Sequence, residues 1–265
     1  MKPLVFSGSA VAIVTPFRGG KVDFPAFDRL VAWQLQQGTD AIVVCGTTGE
    51  AATLNSEERS ALIEHCVRIV DHRVPVIAGS GTNNTSSAVA LSRDAQQSGA
   101  DALLVVTPYY NKASQNGLVR HFSTIADAVD IPLILYNVPS RTGVCCTAQT
   151  YQKLAAHPNI AGVKEASDDF DLIQETLRLC PPDFTLWSGN DSSTTAIMAL
   201  GGKGVISVAA NIVPHEMHEL TQLCLAGRFQ EAAALQLRLH ELIGALFCEV
   251  NPIPVKAAME KLGLC

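Results

Sequence analysis

One lysine in the sequence lies within an apolar segment, where its amine is suited to nucleophilic chemistry. Lys164 belongs to IAGVKEAS (160–167), and strand alternation places it on the same face as Gly162 and Ala166, whose small size leaves space beside an ammonium group. Burial lowers the pKa of a lysine, so its neutral, nucleophilic amine becomes available. The structural alternatives are a lysine paired with a carboxylate such as Glu165, or one extending from the strand end into water.

Five further side chains with binding or proton-transfer chemistry lie within or just beyond the final residues of other apolar segments: Thr47, Thr48, Tyr110, Tyr136 and Arg141. A tyrosine hydroxyl can donate and accept, and a guanidinium matches a carboxylate. Structural alternatives remain for each, since tyrosines often pack in a core, threonines can form a tight turn and an arginine can be a solvated loop charge. GTTGE (46–50) is not a phosphate-binding loop, because no Gly-Lys-Ser/Thr follows it.

Eight short apolar segments must position these side chains: 9–17, 40–48, 74–81, 101–110, 131–139, 160–167, 184–190 and 202–210. Each is rich in Val, Ile or Leu and too short for a helix, as expected of a strand buried on both faces of a parallel sheet. The segments between them are helical in pattern. The repetition predicts an α/β fold, a (β/α)8 TIM barrel, although the strand count alone also fits an open doubly wound sheet.

Helix boundaries in the sequence support this repeat. Asn55 can cap a helix, with Glu58 three residues on, before apolar residues that fall on one face. Gly38 and Gly99 each follow a helical segment and precede a strand, where glycine can take the left-handed conformation that ends a helix. In a closed barrel the residues that follow the strands gather at one mouth, where the chemistry takes place.

The chain is purely helical in pattern after residue 214, over 215–226, 228–248 and about 252–262. We assign the first of these helices to the barrel, which then spans 1–226. The others form a short C-terminal helical extension over 227–265.

The composition excludes several classes of protein. Residues are 48% hydrophobic and 17% charged, which allows a large core and argues against disorder. The formal charge of −6 argues against a nucleic-acid binder. No apolar stretch reaches the roughly 18 residues of a membrane span. Polar residues at Ser7, Gly8 and Ser9 interrupt the first apolar segment, which predicts a strand rather than a signal peptide.

The cysteines and histidines predict no metal site. No CxxC pair occurs, and the adjacent Cys145 and Cys146 suit neither a disulfide framework nor zinc. Reduced, mostly buried thiols in a cytoplasmic protein are the better interpretation. His215 and His218 lie three residues apart on a predicted surface helix, with no matching ligands at the barrel mouth.

Several motifs resemble those of the dihydrodipicolinate synthase family, a branch of the pyruvate-dependent class I aldolases that includes N-acetylneuraminate lyase. They run in register along the whole chain: GTTGE (46–50), TPYYNK (107–112), YNVPSRTG (136–143), GVKEAS (162–167) and NPIPVKAAMEKLGL (251–264). The resemblance implies a lyase of lysine and diaminopimelate biosynthesis that needs no cofactor or metal. It also strengthens the assignment of Lys164 as the nucleophile.

The family chemistry implies that Lys164 condenses with the ketone of pyruvate to give an imine. Loss of a methyl proton yields an enamine, which attacks the aldehyde of L-aspartate 4-semialdehyde. The amine of that substrate then displaces the lysine and closes the ring of 4-hydroxy-tetrahydrodipicolinate.

The resemblance also implies a role for each remaining site residue. Tyr136 shuttles protons and is coupled through Thr47 to Tyr110, which completes the relay of a neighbouring subunit. The other three residues bind substrate: Thr48 holds the pyruvate carboxylate, Ile206 offers a backbone carbonyl near the imine, and Arg141 holds the carboxylate of the aldehyde. A homodimer or homotetramer is therefore expected.

Three alternatives to this function remain. In a sialic acid lyase, the segment after the fifth strand resembles YNIPALSG, whereas this chain has YNVPSRTG there. The presence of Arg141 therefore favours a short carboxylated aldehyde over a sugar acid as substrate. Another 2-keto-acid aldolase of the family would share the same lysine. A catalytically silent relative is the third possibility, because the chain stops at Cys265 where family members usually continue, giving a truncated C-terminal extension.

Feedback inhibition by free lysine is expected to be weak or absent. In lysine-sensitive relatives, a glutamate and histidines surround the ligand near the dimer interface. This chain keeps Asn83 and Tyr109, but Ser87 replaces the glutamate, and Ser56 and Arg59 replace the histidines. The ligand ammonium then lacks a counter-charge and meets a permanent cation.

Overall fold

The computed structural model describes residue 2 and residues 4–265. The strands are β1 Gly8–Ala12, β2 Phe17–Arg18, β3 Lys21–Val22, β4 Ala41–Val44, β5 Val76–Gly79, β6 Ala102–Val106, β7 Leu133–Asn137, β8 Ile160–Glu165, β9 Thr185–Ser188 and β10 Gly204–Ser207. Eight of them are parallel and form a closed barrel in the order β1-β10-β9-β8-β7-β6-β5-β4, and the two-stranded antiparallel pair β2-β3 lies outside it. The predicted (β/α)8 barrel is confirmed, and the open doubly wound sheet is excluded.

Helices follow the barrel strands and surround them. They are α1 Phe24–Gln36, α2 Ser56–Val70, α3 Thr85–Gln97, α4 Gln115–Ala126, α5 Pro139–Thr142, α6 Ala148–Ala155, α7 Phe170–Leu179, α8 Thr194–Ala199, α9 Pro214–Leu225, α10 Phe229–Leu246 and α11 Ile253–Lys261. In the part of the chain that the structure describes, no helix has both the length and the apolar character needed to cross a membrane.

The predicted helix boundaries are present in the structure. Asn55 and Glu58 form a capping box at the start of α2, where the Asn55 side chain accepts from the Glu58 backbone N–H at 2.9 Å. Gly38 and Gly99 have φ angles of +90° and +91° after α1 and α3. Only a residue without a Cβ takes this conformation at low cost, so these glycines end the helices and turn the chain into the next strand.

The core has two layers, because successive side chains of a strand point to opposite faces. The larger layer fills the space between the strands and the helices, with Phe27, Leu62 and Phe122 among its fully buried members. The smaller layer fills the barrel interior and includes Trp187 and Ile206. The interior layer lies directly beneath the mouth of the barrel.

The last two helices pack against the barrel and reach its mouth. Helix α10 contacts α8 and α9, and α11 contacts α10 and the 3₁₀ turn at Ala209–Asn211. The Lys256 ammonium of α11 lies 2.6 Å from the Glu50 carboxylate and 2.9 Å from the Thr15 carbonyl. The division of the chain at residue 226 stays a prediction, since the extension is closely attached to the barrel.

Candidate active site

A cavity of about 520 Å³ lies at the mouth of the barrel, beyond the carboxyl ends of the strands. Five of the predicted site residues line it: Thr47, Thr48, Tyr136, Arg141 and Lys164. They come from four separate parts of the chain, namely the loop after β4, strand β7, helix α5 and strand β8. The fold therefore gathers these side chains at the end of the barrel where such folds carry their active sites.

Lys164 is 5% exposed and points into this cavity from β8. Its pairing partner on β7 is Tyr136, and its Nζ lies 4.4 Å from the centre of the tyrosine ring. Burial lowers the pKa of Lys164 to about 8; the negative charge of Asp191 opposes this shift, and the positive charge of Arg141 adds to it. A neutral amine is thus accessible close to physiological pH, as a nucleophilic lysine requires.

Glu165 is not the partner of Lys164, because it points to the opposite face of β8. Its carboxylate is 2% exposed and accepts from the Asn137 amide at 2.9 Å and the Tyr151 hydroxyl at 2.8 Å. The backbone N–H of Ser167 also donates to it at 3.0 Å. Burial raises the pKa of Glu165, while these hydrogen bonds lower it. The structure thus excludes the alternative of a Lys164–Glu165 ion pair.

The two small residues beside Lys164 serve different purposes. Ala166 lines the cavity and leaves it open, as predicted. Gly162 does not; a Cβ built there would lie 1.8 Å from the Thr185 carbonyl oxygen of β9. Gly162 is therefore required by the close approach of two strands rather than by the space around the amine.

Tyr136 is 7% exposed and shares the cavity with Lys164. Burial raises the pKa of its phenol, and the charge of Arg141 and the hydroxyl of Thr47 act in the opposite direction. At neutral pH the phenol is protonated and can donate to an oxygen that develops charge next to the amine.

Asn251 is a cavity residue to which the sequence assigned no role. Its side-chain Nδ2 donates to Thr48 Oγ1 at 3.0 Å, and its backbone carbonyl accepts from Arg141 Nη2 at 3.0 Å. The motif NPIPVKAAMEKLGL contains this residue, which is the signal that pointed to it. The spacing of the motif gives no indication of these contacts.

Asp191 is a second residue without an assigned role. It is 2% exposed, and its Oδ2 accepts from the backbone N–H groups of Val208 and Ala209, each at 3.0 Å. Burial raises its pKa, while those hydrogen bonds and the charge of Lys164 lower it. Asp191 is thus a buried carboxylate that influences the lysine without lining the cavity.

Two predicted site residues lie outside the cavity lining. Ile206 is fully buried in the interior layer, where it is paired with Ala10 of β1. Tyr110 is 88% exposed, has a φ of +70° and borders a separate surface depression. A single chain does not bring Tyr110 to Thr47, so its place in a proton relay stays a prediction.

A second, wider cavity of about 960 Å³ adjoins the first and shares Thr47, Tyr136 and Arg141 with it. Its lining also includes Ser56, Arg59, Ser87 and Tyr109. Arg59 donates to the carbonyls of Gly79, at 3.2 Å, and Ala51. The guanidinium therefore ties the loop after β4 to the end of β5.

The described histidines, cysteines and carboxylates bear on the predicted lack of a metal site. No cluster of three or more His, Cys, Asp or Glu suited to a metal ion occurs among residues 2 and 4–265. His218 instead lies 2.9 Å from the Asp40 carboxylate, which also accepts from the Ser9 backbone N–H at 2.8 Å. This contact joins α9 to the start of β1, at the end of the barrel away from the cavity.

Fold and site together define a (β/α)8-barrel protein with a desolvated lysine and a tyrosine in its mouth. Residues 5–265 match the Dihydrodipicolinate synthetase family, and the chain belongs to that family. A 4-hydroxy-tetrahydrodipicolinate synthase of a Thermoanaerobacter species is 53% identical over 260 residues, which cover 98% of this chain and 88% of the relative.

Solved structures agree with this assignment. The dihydrodipicolinate synthase of Aquifex aeolicus has a TM-score of 0.97 and 49% identity, covering 98% of this chain and 89% of that one. A protein described as the first monomeric dihydrodipicolinate synthase variant has a TM-score of 0.97 and 44% identity, covering 98% of this chain and 88% of that one.

Proposed function

We propose that this chain condenses pyruvate with L-aspartate 4-semialdehyde to 4-hydroxy-tetrahydrodipicolinate, through an imine on Lys164. The observation that carries the proposal is the buried amine of Lys164, whose pKa is lowered to about 8 and which lies 4.4 Å from the Tyr136 ring. The name of the 53% identical Thermoanaerobacter relative, 4-hydroxy-tetrahydrodipicolinate synthase, gives the product, and the family chemistry gives the two substrates. The reaction belongs to lysine and diaminopimelate biosynthesis.

In the proposed mechanism, the neutral amine of Lys164 adds to the ketone of pyruvate, and loss of water gives the imine. Tyr136 supplies and removes protons at the carbinolamine and at the methyl carbon, because its phenol is next to the amine and partly shielded from water. Thr48 binds the pyruvate carboxylate. The enamine then attacks the aldehyde carbon, and the substrate amine displaces Lys164 as the ring closes.

Arg141 is proposed to select the aldehyde. It lines the same cavity as Lys164, and its guanidinium can form two hydrogen bonds to a carboxylate. A polyhydroxylated sugar acid, the substrate of the alternative lyase, needs hydroxyl-binding groups at this position instead. The backbone carbonyl of Ile206 is proposed to face the imine.

Reductive trapping tests the nucleophile. Borohydride added with pyruvate should attach a stable three-carbon adduct to the peptide that contains Lys164. Lys164→Arg should abolish trapping, because a guanidinium stays protonated, whereas Lys203→Arg, at an exposed lysine, should not change it. An adduct on another lysine contradicts the assignment of Lys164, whereas no adduct contradicts the mechanism and favours a catalytically silent protein.

Turnover tests the substrate. Condensation of pyruvate with L-aspartate 4-semialdehyde, coupled to a reductase that consumes the product, should exceed cleavage of N-acetylneuraminate under the same conditions. Faster cleavage of the sugar acid would instead identify a sialic acid lyase. Trapping without turnover of either substrate would indicate another 2-keto-acid aldolase of the family.

We propose that the active form is a homodimer or homotetramer in which Tyr110 reaches the neighbouring subunit. The support is the 88% exposure of this tyrosine on a rim loop, away from the cavity of its own chain. Tyr110→Phe should lower kcat without changing the sedimentation coefficient. A wild-type protein that sediments as a monomer with full activity would contradict this role, and a relative described as monomeric makes the measurement necessary.

A cytoplasmic location is proposed from the thiols. All eight cysteines are free, and four of them, at 45, 66, 146 and 224, are buried. Free thiols persist in a reducing compartment. Cys248 and Cys265 are exposed, so fewer thiols are buried than the sequence predicted.

A further inference from the structure

Asn251 connects the two groups that the proposed function assigns to the substrate carboxylates. It lies between α10 and α11, is 6% exposed and lines the cavity. Its side chain contacts Thr48, and its backbone carbonyl contacts Arg141, each at 3.0 Å. We propose that Asn251 is a positioning residue that fixes both carboxylate-binding side chains, an inference that rests on the proposed function.

The amide contact determines what the Thr48 hydroxyl can do. A hydroxyl has one hydrogen to donate and two lone pairs that accept. Because Asn251 Nδ2 donates to Thr48 Oγ1, one lone pair is used and the hydroxyl hydrogen stays free for an anion in the cavity. The donated bond also polarises the hydroxyl and so strengthens the bond that it donates in turn. Asn251 thereby leaves the Thr48 hydroxyl as a hydrogen-bond donor toward the cavity, and a carboxylate requires such a donor.

The carbonyl contact restrains Arg141. This side chain projects from the four-residue helix α5, and a free arginine there would sample many rotamers. One N–H of its five is taken by the Asn251 carbonyl, which leaves the others for a substrate carboxylate. Holding the guanidinium in place before binding reduces the entropy lost when the substrate arrives.

The segment that carries Asn251 has a separate anchor. Lys256 on α11 contacts the Glu50 carboxylate and the Thr15 carbonyl, and neither residue is part of the proposed catalytic or substrate-binding groups. The segment that carries Asn251 is therefore held in place by contacts other than those of Asn251 itself. This anchor also supplies a control, since its removal loosens the segment and leaves the Asn251 amide intact.

The test uses Asn251→Leu, which keeps the approximate shape of the side chain and the backbone carbonyl but removes the amide donor. The apparent Kd of pyruvate, from borohydride trapping across pyruvate concentrations, should rise about tenfold. The KM of the aldehyde should change less, because the contact of Arg141 is to the backbone. A larger effect on the aldehyde than on pyruvate would overturn the assignment of the amide to Thr48.

A double-mutant cycle separates positioning from general destabilisation. Thr48→Val removes the hydroxyl, so Asn251→Leu in that background should change the pyruvate Kd by less than about twofold. Independent, multiplicative effects of the two substitutions would contradict the proposal. Asn251→Ala provides a second variant if the leucine variant does not fold, and the melting temperature of each protein is measured beside its Kd.

The control is Lys256→Met. It should lower the melting temperature but leave the pyruvate Kd within about twofold of the wild type. An increase equal to that of Asn251→Leu would show that loosening the segment explains the effect and would overturn the specific role of the amide. A wild-type protein that forms no imine refutes the proposed function itself, whereas normal trapping with an unchanged Kd in Asn251→Leu refutes only this inference.

Discussion

Lys164 and Tyr136 face each other across neighbouring strands of the barrel, with the lysine Nζ 4.4 Å from the centre of the tyrosine ring. Their neighbours in sequence, Glu165 and Asn137, are paired in the same register and are joined by a hydrogen bond of 2.9 Å on the outer face. One register therefore fixes an amine and a phenol inside the barrel and a buried polar pair outside it. The position of the Lys164 amine beside the Tyr136 ring depends on this register.

The pH dependence of imine formation should follow Lys164. The pKa of this amine is lowered to about 8 by burial, so kcat/KM for pyruvate should rise with pH and level off above that value. Asp191→Asn removes a negative charge that raises the pKa of Lys164, so its profile should shift to lower pH. The measurement is the rate of reductive trapping across pH. A shift to higher pH would contradict the electrostatic role of Asp191.

Loss of Arg141 should affect the two substrates differently. Arg141→Ala should raise the KM of the aldehyde by about a hundredfold, because a charge-assisted contact to a carboxylate is lost. Imine formation should persist, but its pH profile should shift to higher pH, since the charge of Arg141 lowers the pKa of Lys164. Arg141→Lys keeps the charge and serves as the control, with the profile near that of the wild type. Equal losses for both substrates would argue against a role in aldehyde selection.

The buried polar network of Asn137, Tyr151 and Glu165, on the outer face of the barrel strands, should be important for stability. Glu165→Ala leaves the buried Asn137 amide and Tyr151 hydroxyl without their partner and should cost about 3 kcal/mol in the free energy of unfolding. Tyr151→Phe removes one hydrogen bond to the carboxylate and should cost less, about 1–2 kcal/mol. Urea denaturation of the variants measures both. A cost below about 1 kcal/mol for Glu165→Ala would show that the network is dispensable.

Burial of the Lys164 amine should itself lower the stability of the fold. The pKa of Lys164 falls from 10.5 to about 8 on folding, so the unfolded chain binds more protons between these values. Wild-type stability should therefore rise with pH through this window, relative to Lys164→Met. Near neutral pH the methionine variant should be more stable by up to about 3 kcal/mol. Parallel stability curves for the two proteins across this window would contradict the shift.

Free lysine should inhibit weakly. The cavity that holds Ser87 and Arg59 has no glutamate at position 87, and the Arg59 guanidinium is fixed to the carbonyls of Gly79 and Ala51. Loss of one partner of a desolvated charge pair costs about 2–5 kcal/mol, so half-inhibition should lie above roughly 1 mM. Activity at saturating pyruvate across lysine concentrations tests this. Ser87→Glu combined with Arg59→His should increase sensitivity, and strong inhibition of the wild type would contradict the prediction.

The local pattern of the sequence was sufficient for the elements and marked Lys164 as a candidate nucleophile, an assignment that the family motifs strengthened. Strand and helix periodicities are properties of neighbouring residues, so the eight strands and the glycine stops at Gly38 and Gly99 could be read directly. Lys164 was identifiable because a charged residue inside an apolar strand is costly without a function. The rule that strand ends meet at one mouth of a barrel gave further candidate site residues, among them Thr47, Thr48, Tyr136 and Arg141.

Contacts between distant residues required the tertiary structure. Asn251 reaches Thr48 across 203 positions, and Asp191 influences Lys164 from another strand end. No periodicity encodes such contacts, because they depend on how the closed barrel brings loops together. The role of Gly162 changed for the same reason, since only the approach of β9 shows that a Cβ cannot fit. The sequence thus determined the type of chemistry that the chain can perform. Tertiary packing decided which groups position the site side chains and which charges shift their pKa values.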